Sequence, residues 1–209
     1  KNSDNPKFAE IAKSHADVTM KHHFRPDYSS YHVISYDTIS GQPEKKNTCQ
    51  GYAHESCWAR GQGWALYGYT MMYRETGQEK YLQHATNVAR FIMNHPRLPE
   101  DKIPYWDFDA PGIPNELRDA SAGALMASAF IELSQYTEGA ASTKYEYLQC
   151  HTLFPQILSL AGTLVNTRRI YPRTFLEHLW QDQMQMASLT TAFLSARAER
   201  KLHWSYRFL

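Results

Sequence analysis

The sequence predicts an all-α fold of the toroid type, a ring of inner helices wrapped by outer ones, of which this chain holds only a part of the ring. A small β-hairpin is expected in a rim loop. Three observations carry that reading. Two segments share an amphipathic helical period and repeat one another, two others are rich in Ala and Gly and nearly free of charge, and the connections between them alternate short with long.

The first outer helix is expected over residues 5–22, where Phe8, Ala12, Ala16 and Met20 recur every fourth position and line one helix face. Residues 24–49 follow as a long connection. The alternating Tyr, Val and Ile of "YHVISYD", the turn residues of "SGQPEKK" and the flanking polar stretches predict a hairpin there. The first inner helix is expected over 57–75, in "SCWARGQGWALYGYTMMYRETG", which carries almost no charge after its first turn and ends at Gly77. A helix apolar on most sides is buried on most sides. After a short turn, Tyr81, Ala85, Ala89 and Met93 repeat the first pattern and predict a second outer helix over 79–95, shifted from the first by 73 residues, Lys7 to Lys80. The second inner helix is expected over 119–136, in "RDASAGALMASAFIELSQYTEG", ending at Gly139. A weaker third copy begins at Lys144, with Pro155 expected to kink it. The long connections are of a length that in compact domains is often functional.

The bulk numbers limit the function. With 209 residues, 43% of them hydrophobic and 21% charged, the chain suits one globular domain. A net charge of +1 supplies no field that would gather nucleic acid or an anionic membrane surface. No apolar run approaches the length needed to span a bilayer, and the opening Lys-Asn-Ser-Asp-Asn-Pro does not read as a signal peptide. Cys49, Cys57 and Cys150 have no C-x-x-C spacing, so they are expected as free thiols in a reducing compartment, the cytoplasm. Aromatics at 13%, with five Trp and fourteen Tyr, suit either core packing or the faces of sugars.

Two polar clusters interrupt this apolar chain. At the front of the first inner helix, "CQGYAHESCWARGQGWALYGYT" sets Gln50, His54, Glu55, Arg60, Gln62 and Trp64 among buried-type residues. Facing the mouth of a central cavity, they would be satisfied by a ligand. Arg60, Trp64 and Tyr67 or Gly68 fall on one helix face, where a guanidinium beside an indole offers a fork for carboxylate or sulfate and a plate for a pyranose ring. The same pair also fits a stacked structural contact. Before the second inner helix, Asp107, Asp109 and Asp119 in "IPYWDFDAPGIPNELRDASAGA" could form an acid–base pair for sugar chemistry. The favoured reading is structural, with Asp119 capping its helix and Arg118 holding Asp107 or Asp109. His22 and His23 close an outer helix, where the dipole favours cationic rings over metal binding. "RGQGW" lacks the Lys-Ser/Thr of a phosphate loop. No metal and no cofactor is called for.

At these residues a resemblance becomes specific. "SSYHVISYD", "QGYAHESCWARGQGWALYGYT" and "PYWDFDAPGIPNELRDASAGA", in this order and spacing over roughly residues 5–160, resemble the unsaturated glucuronyl hydrolases of glycoside hydrolase family 88. The resemblance implies an (α/α)6 barrel, a six-hairpin toroid. It also implies a glycosidase that releases 4,5-unsaturated uronic acid from the non-reducing end of lyase-generated oligosaccharides. In that chemistry an Asp protonates the C4=C5 double bond and helps water add at C5, and the resulting hemiketal collapses. Carried over by position, His32 is the pocket histidine, Gln50, Arg60 and Trp64 are sugar contacts, and Thr48 is a weaker one.

The chain also departs from the family. His54 stands where the family commonly has an acidic residue. The family's two functional aspartates lie N-terminal to the hairpin, and neither Asp4, a cap candidate, nor Asp17, on an outer helix, has surroundings to replace them. The catalytic Asp residues are therefore expected upstream of Lys1, and the chain as given is expected to be inactive alone. Residues 1–162 are expected to form a partial catalytic toroid, and residues 163–209 a divergent segment of the same domain, with no period of two or of 3.6, read as a divergent end or a shifted frame. With much of the ring absent, the inner helices are expected to expose apolar faces through which the chain self-associates. Two other readings stay open: a non-catalytic carbohydrate-binding toroid, and a purely structural one.

Overall fold

The computed structural model describes residues 5–138. In chain order they form α1 (Pro6–His22), β1 (Val33–Tyr36), β2 (Pro43–Asn47), α2 (Ala59–Thr76), α3 (Glu79–Asn94) and α4 (Ala120–Ser134). The repeat from Lys144, the 162/163 boundary, Cys150 and the whole 163–209 segment lie outside the described residues, as does Asp4.

The expected alternation of outer and inner helices is present. α2 packs on both α3 and α4, and α1 packs on α2. α1 and α3 begin 73 residues apart, as the repeat requires. The core lies between them: Leu66 and Tyr69 of α2 meet Tyr81, Ala85, Val88, Ala89 and Ile92 of α3 and Ala122, Met126, Ala129, Phe130 and Leu133 of α4. Each large apolar side chain taken from water here contributes about 1.5–3 kcal/mol. Two phenols tie α1 down. Tyr69 donates to the Ala16 carbonyl at 2.9 Å, and Tyr81 donates to Asp17 at 2.9 Å. Asp17 also pairs with Lys80 at 2.6 Å. The Lys80 ammonium, with the Tyr81 hydroxyl, holds the Asp17 carboxyl below its ordinary range. Asp17 is thus committed to packing one outer helix on the other.

The termini follow local rules. Asn5 caps α1 by accepting from the Lys7 N–H at 3.1 Å, with Pro6 at the first helical position. α2 ends where the sequence indicated, at Gly77 in the left-handed region with φ of 65° and its N–H on the Tyr73 carbonyl at 2.8 Å. α4 stops earlier than expected, at Ser134, with Gln135 in ordinary helical geometry as its cap and not Gly139. A Cβ on Gly77 would meet no atom within 4 Å, so Gly77→Ala isolates backbone strain. It is expected to cost about 1–2 kcal/mol in urea unfolding.

The hairpin is a two-stranded antiparallel ribbon pairing Val33 with Asn47, Ile34 with Lys46 and Ser35 with Lys45, with an irregularity before Tyr36–Pro43. Its turn is fixed by Asp37, which accepts from the Ser40 N–H and hydroxyl and from the Ile39 N–H, while Gly41 closes it at φ of 66°. These hydrogen bonds, those from Ser40 foremost, hold the Asp37 carboxyl below its usual range.

Exposed apolar surface falls elsewhere than expected. The apolar side chains of α4 are buried, Leu125, Met126, Ile131 and Leu133 among them, and the only large hydrophobic exposed on an inner helix among the described residues is Trp64. Phe8, Ile11 and Val18 of α1 are exposed instead. They stand three and seven positions apart, one stripe on the outer helix.

Candidate active site

The two inner helices start side by side, which brings together both polar clusters seen in the sequence. Three short segments make this junction. Ala59 N–H donates to the Trp106 carbonyl at 3.1 Å and Phe108 N–H to the Cys57 carbonyl at 3.0 Å. On the other edge Trp106 N–H donates to Leu117 at 3.0 Å and Asp119 N–H to Pro104 at 2.8 Å. The chain before α2, the 104–108 segment and the chain before α4 therefore run as neighbours.

Asp107 sits inside this junction, fully buried. One carboxylate oxygen accepts from Tyr52 N–H at 2.9 Å and the Ser56 hydroxyl at 2.8 Å, and the other from Asp109 N–H at 2.8 Å. Asp109 in turn accepts from Cys57 N–H at 3.0 Å. Neither is held by Arg118, contrary to the sequence reading. The Tyr105–Arg118 bridge aims the guanidinium back along the chain, where it pairs with Asp101 and donates through Nε to the Ile103 carbonyl at 2.8 Å. The structural reading of these carboxylates holds with different partners. The Cys57 thiol beside them is free, and burial pushes its pKa up to about 12.

Asp119 caps α4 as expected, accepting from Ala122 N–H at 2.9 Å and the Ser121 hydroxyl at 2.6 Å through one oxygen. Its second oxygen takes Nε and Nη2 of Arg60 at 3.2 and 3.0 Å. This uses the side edge of the guanidinium. Among the described residues no partner lies on Nη1, so there the end edge, Nη1 with the remaining Nη2 hydrogen, is left as a fork for an anion. The Arg60 guanidinium lies 5.5 Å from the Trp58 ring centroid and not on Trp64. Trp64, one turn further along α2 and 54% exposed, meets Tyr67 edge-on at 6.1 Å.

His32 reaches the same place from the hairpin. Its imidazole lies 4.4 Å from the Trp58 ring, tilted by 32°. Nδ1 is 3.1 Å from the Thr48 hydroxyl and receives the N–H groups of Cys49 at 3.2 Å and Gln50 at 3.3 Å. Two backbone donors on Nδ1 leave it no proton of its own. The neutral ring carries its hydrogen on Nε2, and burial lowers the His32 pKa from its ordinary value. Thr48 also accepts from Gly51 N–H at 2.7 Å and donates its own N–H to His54 Nδ1 at 3.1 Å, which gives His54 a loop-closing part.

Of the residues singled out in the sequence, His32 and Arg60 meet on Trp58, Thr48 joins through His32, and Gln50 joins through its backbone while its side chain is exposed. Trp64 flanks the cluster. Gln62 does not belong to it. Fully buried, it accepts from Ser30 N–H at 3.0 Å and donates to the Tyr28 carbonyl at 2.7 Å, so it holds the 24–31 loop against α2. Trp58 was missed, because a Trp before a buried helix reads as core.

A groove of about 420 Å³ lined by Asp27, Tyr28, Asn87, Arg90, Phe91, Asn94, His95 and Pro96 shares no residue with this cluster. No helix among the described residues is long and apolar enough to cross a membrane.

No family model matches the chain. Individual relatives do. An unsaturated glucuronyl hydrolase of Formosa agariphila is 48% identical over 157 residues, 75% of this chain and 39% of that protein. A crystal structure of an unsaturated glucuronyl hydrolase specific for heparin matches with a TM-score of 0.68 and 52% identity, over 70% of this chain and 39% of that one. A mutant unsaturated glucuronyl hydrolase of Streptococcus agalactiae, complexed with dGlcA-GalNAc6S, matches with a TM-score of 0.61 and 31% identity, over 72% of this chain and 40% of that one. The chain thus spans about two fifths of the length of the relatives it matches. The neighbours are (α/α)6 barrels, and the helices and hairpin described above are a part of that ring. Over the stretch they share, this chain belongs to the unsaturated glucuronyl hydrolase family.

Proposed function

We propose that this chain supplies sugar-binding residues to a glycosidase that removes 4,5-unsaturated uronic acid from the non-reducing end of lyase-generated oligosaccharides. Hydration of the C4=C5 double bond is its chemical step. The observation that carries the reading is the cluster on Trp58. An imidazole with its hydrogen on Nε2 and a guanidinium whose end edge no described residue occupies share one indole, flanked by the exposed ring of Trp64. The guanidinium fork suits the uronate carboxylate, the rings suit pyranose faces, and the His32 Nε2 hydrogen suits a hydroxyl or ring oxygen. His32, Thr48, Gln50, Arg60 and Trp64 are the proposed substrate contacts. Free thiols at Cys49 and Cys57 fit work in the cytoplasm.

None of the described carboxylates at this junction fits the general acid. Asp107 is sealed by three donors, Asp109 accepts from a backbone N–H, and Asp119 is divided between Arg60 and its helix. The acid that protonates C4 is assigned to a part of the fold that the longer relatives have and this stretch does not span. Residues 1–209 alone are expected to leave the absorbance of a 4,5-unsaturated uronate disaccharide unchanged. A protein completed to the length of the relatives is expected to consume it. In that protein, Arg60→Lys keeps the charge but loses the planar fork, and kcat/KM is expected to fall about tenfold or more. Trp64→Ala is expected to raise KM several-fold by removing a plate. Hydrolysis by residues 1–209 alone would overturn the placement of the acid.

A further inference from the structure

We infer that Trp58 is a positioning residue which, with Asp119 holding Arg60, fixes where the His32 imidazole and the Arg60 guanidinium stand relative to each other. The inference rests on the reading above, in which those two groups meet the sugar. His32 comes from the start of the hairpin and Arg60 from α2. The two meet on one indole, the imidazole at 4.4 Å and the guanidinium carbon at 5.5 Å.

That indole is itself held at three points. Its backbone is bridged to Asp107, through Ala59 N–H on the Trp106 carbonyl and Phe108 N–H on the Cys57 carbonyl. Trp58 is the cap of α2 with extended ψ of 121°, which turns its side chain away from the helical stripe. Its ring edge lies over bare backbone, since a Cβ on Gly61 would stand 3.1 Å from the indole Cε3. Asp119 adds the second constraint by gripping the Nε/Nη2 edge of Arg60, which leaves the guanidinium plane no freedom to turn on the indole. Among the described residues Arg60 is the charged side chain sharing this indole with His32, and His54 reaches the same loop by accepting from the Thr48 N–H through Nδ1.

Trp58→Ala removes the surface that covers His32, so the His32 midpoint followed by NMR in residues 1–209 is expected to rise toward the ordinary histidine value. The ring-current displacement of its carbon-bound hydrogens should disappear, and affinity for an unsaturated uronate disaccharide should fall about fivefold or more. Trp58→Phe keeps a plate and is expected to recover most of that affinity. Asp119→Asn keeps an oxygen for the Ala122 N–H but loses the ion pair, so it should weaken sugar binding while leaving the His32 midpoint in place. Gly61→Ala favours helix and pushes the indole, so it tests the same arrangement in a protein that stays folded should Trp58→Ala unfold. A folded Trp58→Ala, or Gly61→Ala should Trp58→Ala unfold, with His32 midpoint, ring-current shift and sugar affinity all unchanged would overturn the inference. Absence of sugar binding by the unsubstituted chain, with the His32 shifts as expected, would sink the proposed function and leave the positioning intact.

Discussion

Asp107→Ala is expected to destabilise the protein by about 3 kcal/mol or more, because two backbone donors lose their acceptor inside a closed junction, while the Ser56 hydroxyl can turn to the Ala53 carbonyl at 2.9 Å. Tyr52 N–H would face a void on one side and Asp109 N–H on the other. Asp107→Asn is the sharper variant. Its single oxygen can serve Tyr52 and Ser56 or Asp109, but its NH2 group then confronts a donor on the remaining side. It should recover part of the stability and no more. Urea unfolding of both variants reads the effect directly. Native stability in Asp107→Asn, combined with lost turnover in the completed protein, would instead make Asp107 a chemical participant.

Acid is expected to destabilise the fold through His84, by up to about 3 kcal/mol. This histidine is 94% buried, with its ring 4.3 Å from Phe24, 4.3 Å from Tyr69 and 5.6 Å from Tyr28. Its Nε2 has no hydrogen-bond partner among the described residues, and burial pushes its pKa from 6.5 down to about 4. The unfolded chain therefore binds the proton more readily than the folded one. Stability should be full above the unfolded value of 6.5 and decline as pH falls from there to about 4, the folded value. His84→Leu removes both the titration and the orphaned nitrogen. Its unfolding free energy should decline less steeply than the parent's over that range, the remaining slope coming from His23, His32 and His95, whose pKa values burial also lowers, and should exceed the parent's in acid. Parallel pH profiles for parent and variant would show that the loss arises elsewhere.

The helical plan was legible because the fold repeats a simple contrast. Four-residue spacing of Tyr81, Ala85 and Ala89 can mean little but one buried stripe, and the Ala-rich run from Ala120 has no polar face to expose. On the first outer helix the four-residue spacing overstated the buried face: of Phe8, Ala12, Ala16 and Met20 only Ala16 is buried and Met20 half-buried, while Phe8 and Ala12 are exposed and Phe8 joins Ile11 and Val18 on the solvent side. At the site, residue type pointed to Arg60, but its partner depended on two chain segments meeting across 59 positions, which no local period encodes. Arg118 failed for the same reason. Sequence proximity suggested Asp107, whereas the bridge to Tyr105 turns the side chain toward Asp101. Gln62 looked like a cavity-mouth residue because polar side chains at a helix start often are. It is instead a buried amide whose donor and acceptor are both used, a demand set by the 24–31 loop. The signal that could have found Trp58 was its place just before the helix, where a side chain leaves the buried stripe.

The central claim is that this stretch carries the sugar-binding side of the site without the acid. It is tested most directly by titrating residues 1–209 with an unsaturated uronate disaccharide while recording indole and imidazole NMR signals. The predicted result is saturable shifts of Trp58, Trp64 and His32 with the sugar left intact, much weakened in Arg60→Lys. Shifts confined to other residues, or equal affinity in Arg60→Lys and the parent, would contradict it.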